Sequence, residues 1–527
     1  MKVVFYVTLM IISLMVLVSC NNNNNNQTDD PTEKECNHNW VEDEAARIES
    51  TCNTYGVITY RCSICNEEKK ESMKTLGAHS YINNFCSVCG KRKEGDFEVQ
   101  MGSVKAYLYR QTGIDFALEI EGNGAMKDYS SASDSDLRKL INKEGIAIKT
   151  IKIFEGVTTI GDYAFTDFAE CLNVFELPST LTKIGKHAFE RCSLIESVSL
   201  PKNVTEIGDY AYNGCSKIKA IMISSNKCDI GFNAFNDCPY VTSLSMPMND
   251  KIIPSKDDPK SYFGYMFGYQ EYTESNVGQY SQTMYDKNIY FNVPVILTEI
   301  EIFGDADIPD YYFYSCKYLQ KITINDNSTL KKFGKYSFAE MPTLFHVDLE
   351  NNSLESIGKY AFKNSYKLVE FIATENVNEI GEGAFFGCSD LSKFEFLGNG
   401  VVTINRETFK NCISLESFYT GSVCTTIGSD AFKYCSKLKE FHIGIAVNSI
   451  TNGALPDKMY ITDKLIIDSS VIANENTDYF NIFGGTKYIY VLKSIKLEEN
   501  AYFKTKYTKD KNLSSRNADY DIYYIPD

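Results

Sequence analysis

Two Cys-x-x-Cys pairs, Cys62/Cys65 and Cys86/Cys89, stand 20 residues apart in a chain of 527 residues. Thiolates at this spacing face one ion across a tight turn while backbone N–H groups support the sulfurs, the pattern of a zinc ribbon. Gly90 follows the second pair, and Asn66, which tolerates the left-handed conformation, follows the first. Cys36, His38, Cys52 and His79 bring the candidate ligands to eight, enough for two tetrahedral sites. One assignment joins both pairs in a single four-thiolate site. Another gives each pair its own ion, with His38 and Cys52 completing the first site and His79 and Cys36 the second. Either zinc is structural, because a catalytic zinc keeps one position open to water and no residue here marks one. Disulfides are the alternative, which an exported chain permits. A segment this small and poor in apolar residues needs a staple of either kind.

These ligands lie in a module over residues 36–95, and the segments before it say where it resides. Residues 1–19 begin with one Lys and run apolar from Val3 to Val18, which is short for a membrane span and suits a signal peptide. The ending Leu17-Val-Ser-Cys20 resembles a bacterial lipobox, which implies cleavage before Cys20 and lipidation of its thiol. Residues 20–35, rich in Asn and acidic groups, read as a flexible tether. The Cys/His pattern resembles small modules of surface proteins in anaerobic Gram-positive bacteria, where a His…Cys…Cys-x-x-Cys unit repeats. That resemblance implies the two-site assignment, although the second unit here lacks its central Cys.

Beyond residue 150 one phrase recurs. An aromatic residue in an Ala-Phe-like pair falls at Phe165, Phe189, Tyr212, Phe235, Phe313, Phe338, Phe362, Phe385, Phe409 and Phe432, with a degenerate eleventh copy at Leu455. Apart from one long gap after Phe235, the spacing is 23 to 25 residues. A fixed period in this range predicts a solenoid whose repeats share one core. Within each repeat an Ile-Gly pair predicts a turn with Gly at positive φ. The aromatic plants a ring in the core, and a late alternation such as Leu194…Val198-x-Leu200 predicts one short strand. A slot holding Cys192, Cys215, Cys238, Cys316, Cys388, Cys412 and Cys435 also accepts Met341 and Ser365, so it reads as a packing position.

The segments "VTTIGDYAF", "LTKIGKHAFERCSLIESVSLP", "VNEIGEGAFFGCSDLSKF" and "TTIGSDAFKYCSKLKEFHI" resemble the BspA-type leucine-rich repeats of bacterial surface proteins. The resemblance implies a β-rich, right-handed curved solenoid with one short strand per 23–24-residue repeat. It also implies a surface protein of adhesion or host interaction. Residues 96–150, with "ALEIEGNGAMKDYSS", resemble the β cap that precedes such arrays. Repeats then occupy residues 151–247 and 297–456, and residues 457–527 read as a C-terminal β cap.

Residues 248–296 interrupt the array with a Tyr-rich insertion. Insertions in solenoids map to one face, often a binding face, and rigid aromatic rings supply contact area at low entropy cost. Tyr262, Phe263, Tyr265, Phe267, Tyr269 and Tyr272 are therefore candidate partner-binding residues, the alternative being that they pack on the coils as a hairpin.

The formal net charge of −16 opposes a nucleic-acid partner, whose phosphates need Lys and Arg. No phosphate loop, G-x-S-x-G or HExxH motif occurs, so no enzyme is expected. The reading is a non-catalytic, exported protein, lipid-anchored to the cell membrane and exposed at the surface. Its solenoid binds an extracellular protein or glycan, and structural zinc holds its N-terminal module. A passive envelope element and an accessory domain of an extracellular hydrolase are the other readings.

Overall fold

The computed structural model describes most of residues 93–455, together with 38–48, 56–64, 66–73, 81–82, 85–87, 464–467, 488–492 and 521–525. The chain divides into two compact units, residues 1–94 and 95–527.

The first unit contains a three-stranded antiparallel sheet of Trp40–Glu42, Gly56–Cys62 and Glu68–Met73. A two-residue hairpin pairs Tyr81–Ile82 with Phe85–Cys86.

The second unit opens with the cap expected from the sequence. Strands Phe97–Met101, Val104–Thr112 and Asp115–Gly122 form an antiparallel meander. A helix, Asp136–Glu144, follows: the Ser135 side chain accepts the Arg138 N–H at its start, and Gly145 ends it in the left-handed conformation. The helix buries Leu137 and Ile141, and Ala147–Ile153 then returns parallel to Asp115–Gly122.

From here the chain winds as a solenoid of about 11 turns. Among the described residues a strand of three to five residues recurs, as in Ser197–Leu200, Ala220–Ile223 and Lys321–Ile324, and these strands stack in parallel in three runs, Ser197–Leu200 to His346–Leu349, Glu370–Ala373 with Lys393–Phe396, and Ser417–Tyr419 onward. Alternate residues point inward, so Val198 and Leu200 are buried while Ser199 is exposed. A second, two-residue strand forms at the Ile of each Ile-Gly pair and builds its own parallel ladder, as in Lys183–Ile184 beside Glu206–Ile207. The sequence indicates only one strand per repeat, because two residues are too few to show a period. Towards the C-terminus, Lys464–Ile467, Tyr488–Leu492 and Asp521–Ile525 extend the main ladder, again in parallel.

One core runs from Met101 to Leu455. Its spine is the column of repeat aromatics. Phe313 stacks on Phe338 at 5.5 Å, Phe338 on Phe362 at 5.0 Å and Phe362 on Phe385 at 5.2 Å, all with rings within 11° of parallel. The Cys slot does more than fill space. Cys192, Cys215, Cys388, Cys412 and Cys435 each donate the thiol to the carbonyl of the aromatic one turn earlier, at 3.1–3.2 Å. Ser365 makes the same bond to Phe338 at 2.7 Å. A small donor in the slot thus gives the buried carbonyl a second hydrogen bond, beside the one it accepts within its own turn, as Phe189 O does from Cys192 N–H at 3.1 Å.

The expectation of positive φ at the Ile-Gly glycine is not met. Gly185, Gly208, Gly231, Gly358 and Gly381 have ordinary φ. They are glycine because a Cβ would strike the backbone of the turn below, for example Lys186 N at 2.6 Å from Gly208. Positive φ falls instead on the residue before each Ala, such as Tyr163 (φ 56°), His187 (φ 53°) and Tyr210 (φ 58°), and on the residue before each Cys slot, such as Arg191 (φ 59°). His187 stacks between Tyr163 and Tyr210 at 4.5 and 4.8 Å, so these left-handed positions carry a second ring ladder near the surface.

Candidate functional site

The thiol pairs come first. Cys20, Cys36, Cys52, Cys65, His79 and Cys89 lie outside the described residues. Cys62 is buried at the end of its strand. The turn that follows places the Ile64 N–H 3.4 Å from the Cys62 sulfur and the Asn66 N–H 2.9 Å from the Cys62 carbonyl, with Asn66 at φ 63°. A backbone donor aimed at the sulfur lowers the cost of holding a thiolate there. This turn therefore fits a metal-binding thiolate in its described half. His38 stacks on Trp40 at 4.8 Å, with Nε2 3.2 Å from a Glu67 carboxylate oxygen. Cys86 sits on the short strand Phe85–Cys86. Among the described residues no group of three or more potential ligands converges.

The aromatic insertion is not a projecting patch. Tyr262, Phe263 and Phe267 are 1%, 0% and 1% exposed, and Tyr265 and Tyr269 are half-buried. Tyr272 lies outside the described residues. The expected contact surface is thus corrected for the first three rings, and the reason is the ladder. Residues Phe263–Phe267 form a short 3-10 turn wedged between two turns of the solenoid. Phe235 N–H donates to Met266 O at 2.9 Å, and Phe263 N–H donates to Tyr312 O at 2.8 Å, as if the insertion were a further rung. Gln282, fully buried, accepts from Gly264 N–H at 2.7 Å and donates to Tyr312 O at 3.0 Å. Burial pushes the phenol of Tyr265 up to about 12.

The outward side of the main strand ladder offers a different site. Strands Lys393–Phe396, Ser417–Tyr419 and Glu440–Ile443 present Lys393, Glu395, Ser417, Tyr419, Glu440 and His442 outward. Together they line an open cleft of about 360 Å³. Its floor is Phe394, Phe418 and Phe441, packed into the core at 6%, 3% and 1% exposure. The Tyr419 ring, 45% exposed, lies 4.5 Å from the His442 ring on the next strand. Lys393 sits 3.1 Å from Glu395 and 3.6 Å from Glu370, and the Glu395 carboxylate raises its ammonium above the usual range. In the sequence His442 stands alone in a strand region, and nothing marks Tyr419. The signal was there: both occupy the outward place of the strand pattern, one repeat apart. It was hidden because outward residues differ from turn to turn, and a search for the repeated phrase discards what varies.

Stacked parallel turns, each built on the same buried Ile, aromatic, thiol and Leu positions and all showing one strand face outward, define a leucine-rich repeat solenoid. Residues 143–256, 287–400 and 355–484 match the BspA type leucine rich repeat region in six copies, over more than half of the sequence. The chain belongs to that family.

Several solved structures are similar. A leucine-rich repeat protein from Bacteroides ovatus is 18% identical, with 82% of this chain and 100% of that one covered and a TM-score of 0.33. One from Eubacterium ventriosum is 19% identical, covering 70% and 87% with a TM-score of 0.24. The pneumococcal vaccine antigen PcpA is 17% identical, covering 75% and 97% with a TM-score of 0.23. No curated protein matches the chain.

Proposed function

We propose that this chain is a cell-surface lipoprotein whose solenoid binds an extracellular ligand without transforming it. The observation that carries the reading is the outward strand face. It is braced by backbone bonds between neighbouring turns, as between Ser417–Tyr419 and Glu440–Ile443, and it holds an open cleft with a partly exposed aromatic pair. A preformed surface of this kind binds with little ordering cost. Cys20 supplies the lipid anchor after cleavage of residues 1–19, and several acyl chains hold where one does not. The tether of residues 20–35 spaces the folded units from the membrane. Zinc on the thiol pairs, with Cys62 among its ligands, staples the N-terminal module; it supplies cross-links and no chemistry.

The test is a solid-phase assay of the purified full chain, carrying Cys20→Ser for solubility, against extracellular matrix proteins and envelope glycans. Saturable binding to either class is the expected result. Absence of binding to both would leave a passive envelope element as the better reading.

A further inference from the structure

We infer that the solenoid carries a built-in seam between the turn that holds Lys393–Phe396 and the turn that holds Ser417–Tyr419, and that the turns beyond it open as one unit.

The ladders mark the place. Lys393–Phe396 pairs back to Glu370–Ala373, and Ser417–Tyr419 pairs forward to Glu440–Ile443, but the two do not pair with each other. The second ladder stops at the same point. Glu379–Ile380 pairs back to Ser356–Ile357, and Thr403–Ile404 pairs forward to Thr426–Ile427. The main ladder also lapses between His346–Leu349 and Glu370–Ala373, yet there the second ladder continues, with Lys332–Phe333 beside Ser356–Ile357. Among the described residues, no other junction with strands of both ladders on either side lacks both pairings.

Asn405 explains the break. Gly185, Gly208, Gly231, Gly358, Gly381 and Gly428 each donate the N–H to a carbonyl one turn earlier at 2.8 Å. They come so close because they lack a Cβ: one on Gly381 would lie 2.5 Å from Lys359 N. The equivalent residue of the turn in question is Asn405, after Ile404. Its Cβ forbids that approach, and its backbone N–H makes no such bond. The side chain takes over, with Asn405 Nδ2 donating to Ile380 O at 2.7 Å. The carbonyl left by the missing N–H is thus satisfied across the length of a side chain. Thr408, in the place of the usual Ala, donates its hydroxyl to Asn405 O at 2.7 Å and ties this segment to its own turn.

What still joins the two turns lies along the aromatic column and the corners. Phe385 stacks on Phe409 at 5.5 Å, and Phe385 N–H donates to Thr408 O at 2.9 Å. Glu416 N–H reaches Ser392 O at 3.2 Å, and Ser422 N–H reaches Asn399 O at 2.9 Å. The stability of a solenoid is a sum over its turns and their interfaces, so an interface that has lost both ladders is where cooperative units divide. The open cleft of about 360 Å³ lies across this seam, lined by Lys393–Phe396 from one unit and by Ser417–Tyr419 from the other.

The experiment is native-state hydrogen exchange of the full chain, read by mass spectrometry at low denaturant, with Asn405→Gly and Asn405→Ala beside the unaltered protein. In the unaltered protein, peptides from Thr403 to Leu455 are expected to exchange together, with a step at residues 397–402 from slower exchange over 353–396. Asn405→Gly lets the turns close and is expected to slow exchange at 393–396 and 417–419 by about tenfold. Asn405→Ala keeps the Cβ and deprives Ile380 O of its partner, so the same peptides are expected to exchange about tenfold faster. A smooth rise in exchange towards the C-terminus, with no step, is ordinary end fraying and overturns the seam. Exchange that Asn405→Gly leaves unchanged or speeds up overturns the part given to Asn405.

Discussion

Replacing Gly208 with Ala tests the account of how the turns stack. By backbone conformation the change is harmless: φ is ordinary there, and Gly→Ala at such a site stabilises by about 0.4–1 kcal/mol through the unfolded chain. The new methyl, however, would lie 2.6 Å from Lys186 N and 2.7 Å from Gly185 C, both backbone. Ordinary contact begins at 3.4 Å, so the turns must part by about 0.8 Å at this point. The bonds Gly208 N–H to Ile184 O and Thr205 N–H to Thr182 O are each 2.8 Å and would stretch past the limit for a hydrogen bond. Losing them costs about 0.5–1.5 kcal/mol each, and overpacking costs about 1–3 kcal/mol. The net expectation is a loss of about 2–4 kcal/mol. Gly214→Ala is the control. Its φ is +73°, the conformation that ordinarily demands glycine, yet the new methyl's tightest contact is the Arg191 side chain at 3.2 Å, with backbone no nearer than 3.7 Å. The equivalent place holds Arg191 at φ 59°, Asp237 at φ 53° and Tyr434 at φ 67°. About 1–2 kcal/mol of left-handed strain, offset in part by the unfolded state, leaves a loss of about 1 kcal/mol or less. Urea denaturation followed by circular dichroism gives the comparison. Native-state hydrogen exchange around residues 182–231 gives the local stability, since a solenoid can open turn by turn. If Gly214→Ala costs as much as Gly208→Ala, the close-approach explanation is wrong.

Phe263→Ala, at a fully buried ring, is expected to cost about 3–5 kcal/mol, and Tyr265→Ala with Tyr269→Ala to lower the melting temperature clearly; normal melting of both proteins would mean the insertion is not part of the core. Burial pushes the Cys238 thiol up to about 12, against an ordinary value near 9, so it is expected to resist a thiol reagent at pH 8 until denaturant is added. Because the unfolded chain loses that proton first, the thiol's contribution to stability is complete below about pH 9 and falls as pH rises towards 12; rapid labelling of the native chain, or stability rising over that window, would refute the assignment. Elemental analysis of the chain purified without chelator is expected to find one or two zinc ions, and less than about half an equivalent with stoichiometric disulfides in residues 36–95 would exclude the metal. Intact mass is expected to show loss of residues 1–19 and added acyl groups on Cys20, with Cys20→Ser released from the membrane fraction; unchanged fractionation of that variant would remove the anchor.

What the sequence disclosed and what it hid divide along the solenoid axis. Reading along one repeat finds the period, the Ala-Phe spine, the buried Leu and Ile and the N-terminal cap, because each leaves a residue type at a fixed spacing. The relation of one turn to the next leaves no such mark. Glycine at 208 looks like a turn residue until Lys186 is seen beneath it. Cys388 looks like filler until the Phe362 carbonyl is seen 3.1 Å from its sulfur. The insertion looks like a surface loop until its backbone is found bonding to Phe235 on one side and Tyr312 on the other. The same division bears on function. Positions that repeat are committed to stacking, since every turn must offer its neighbour the same shape. Outward strand positions carry no such duty, and they vary accordingly: Ser199, Met222, Ser245, Glu301, then Glu395, Tyr419 and His442. An aromatic pair at such a position contributes little to the core, with Tyr419 45% exposed and Phe418 beside it already filling the inside. Tyr419 beside His442 is nonetheless a cross-strand ring pair, 4.5 Å between centroids, so it supports the stacking of two turns from outside as Phe418 and Phe441 do from inside.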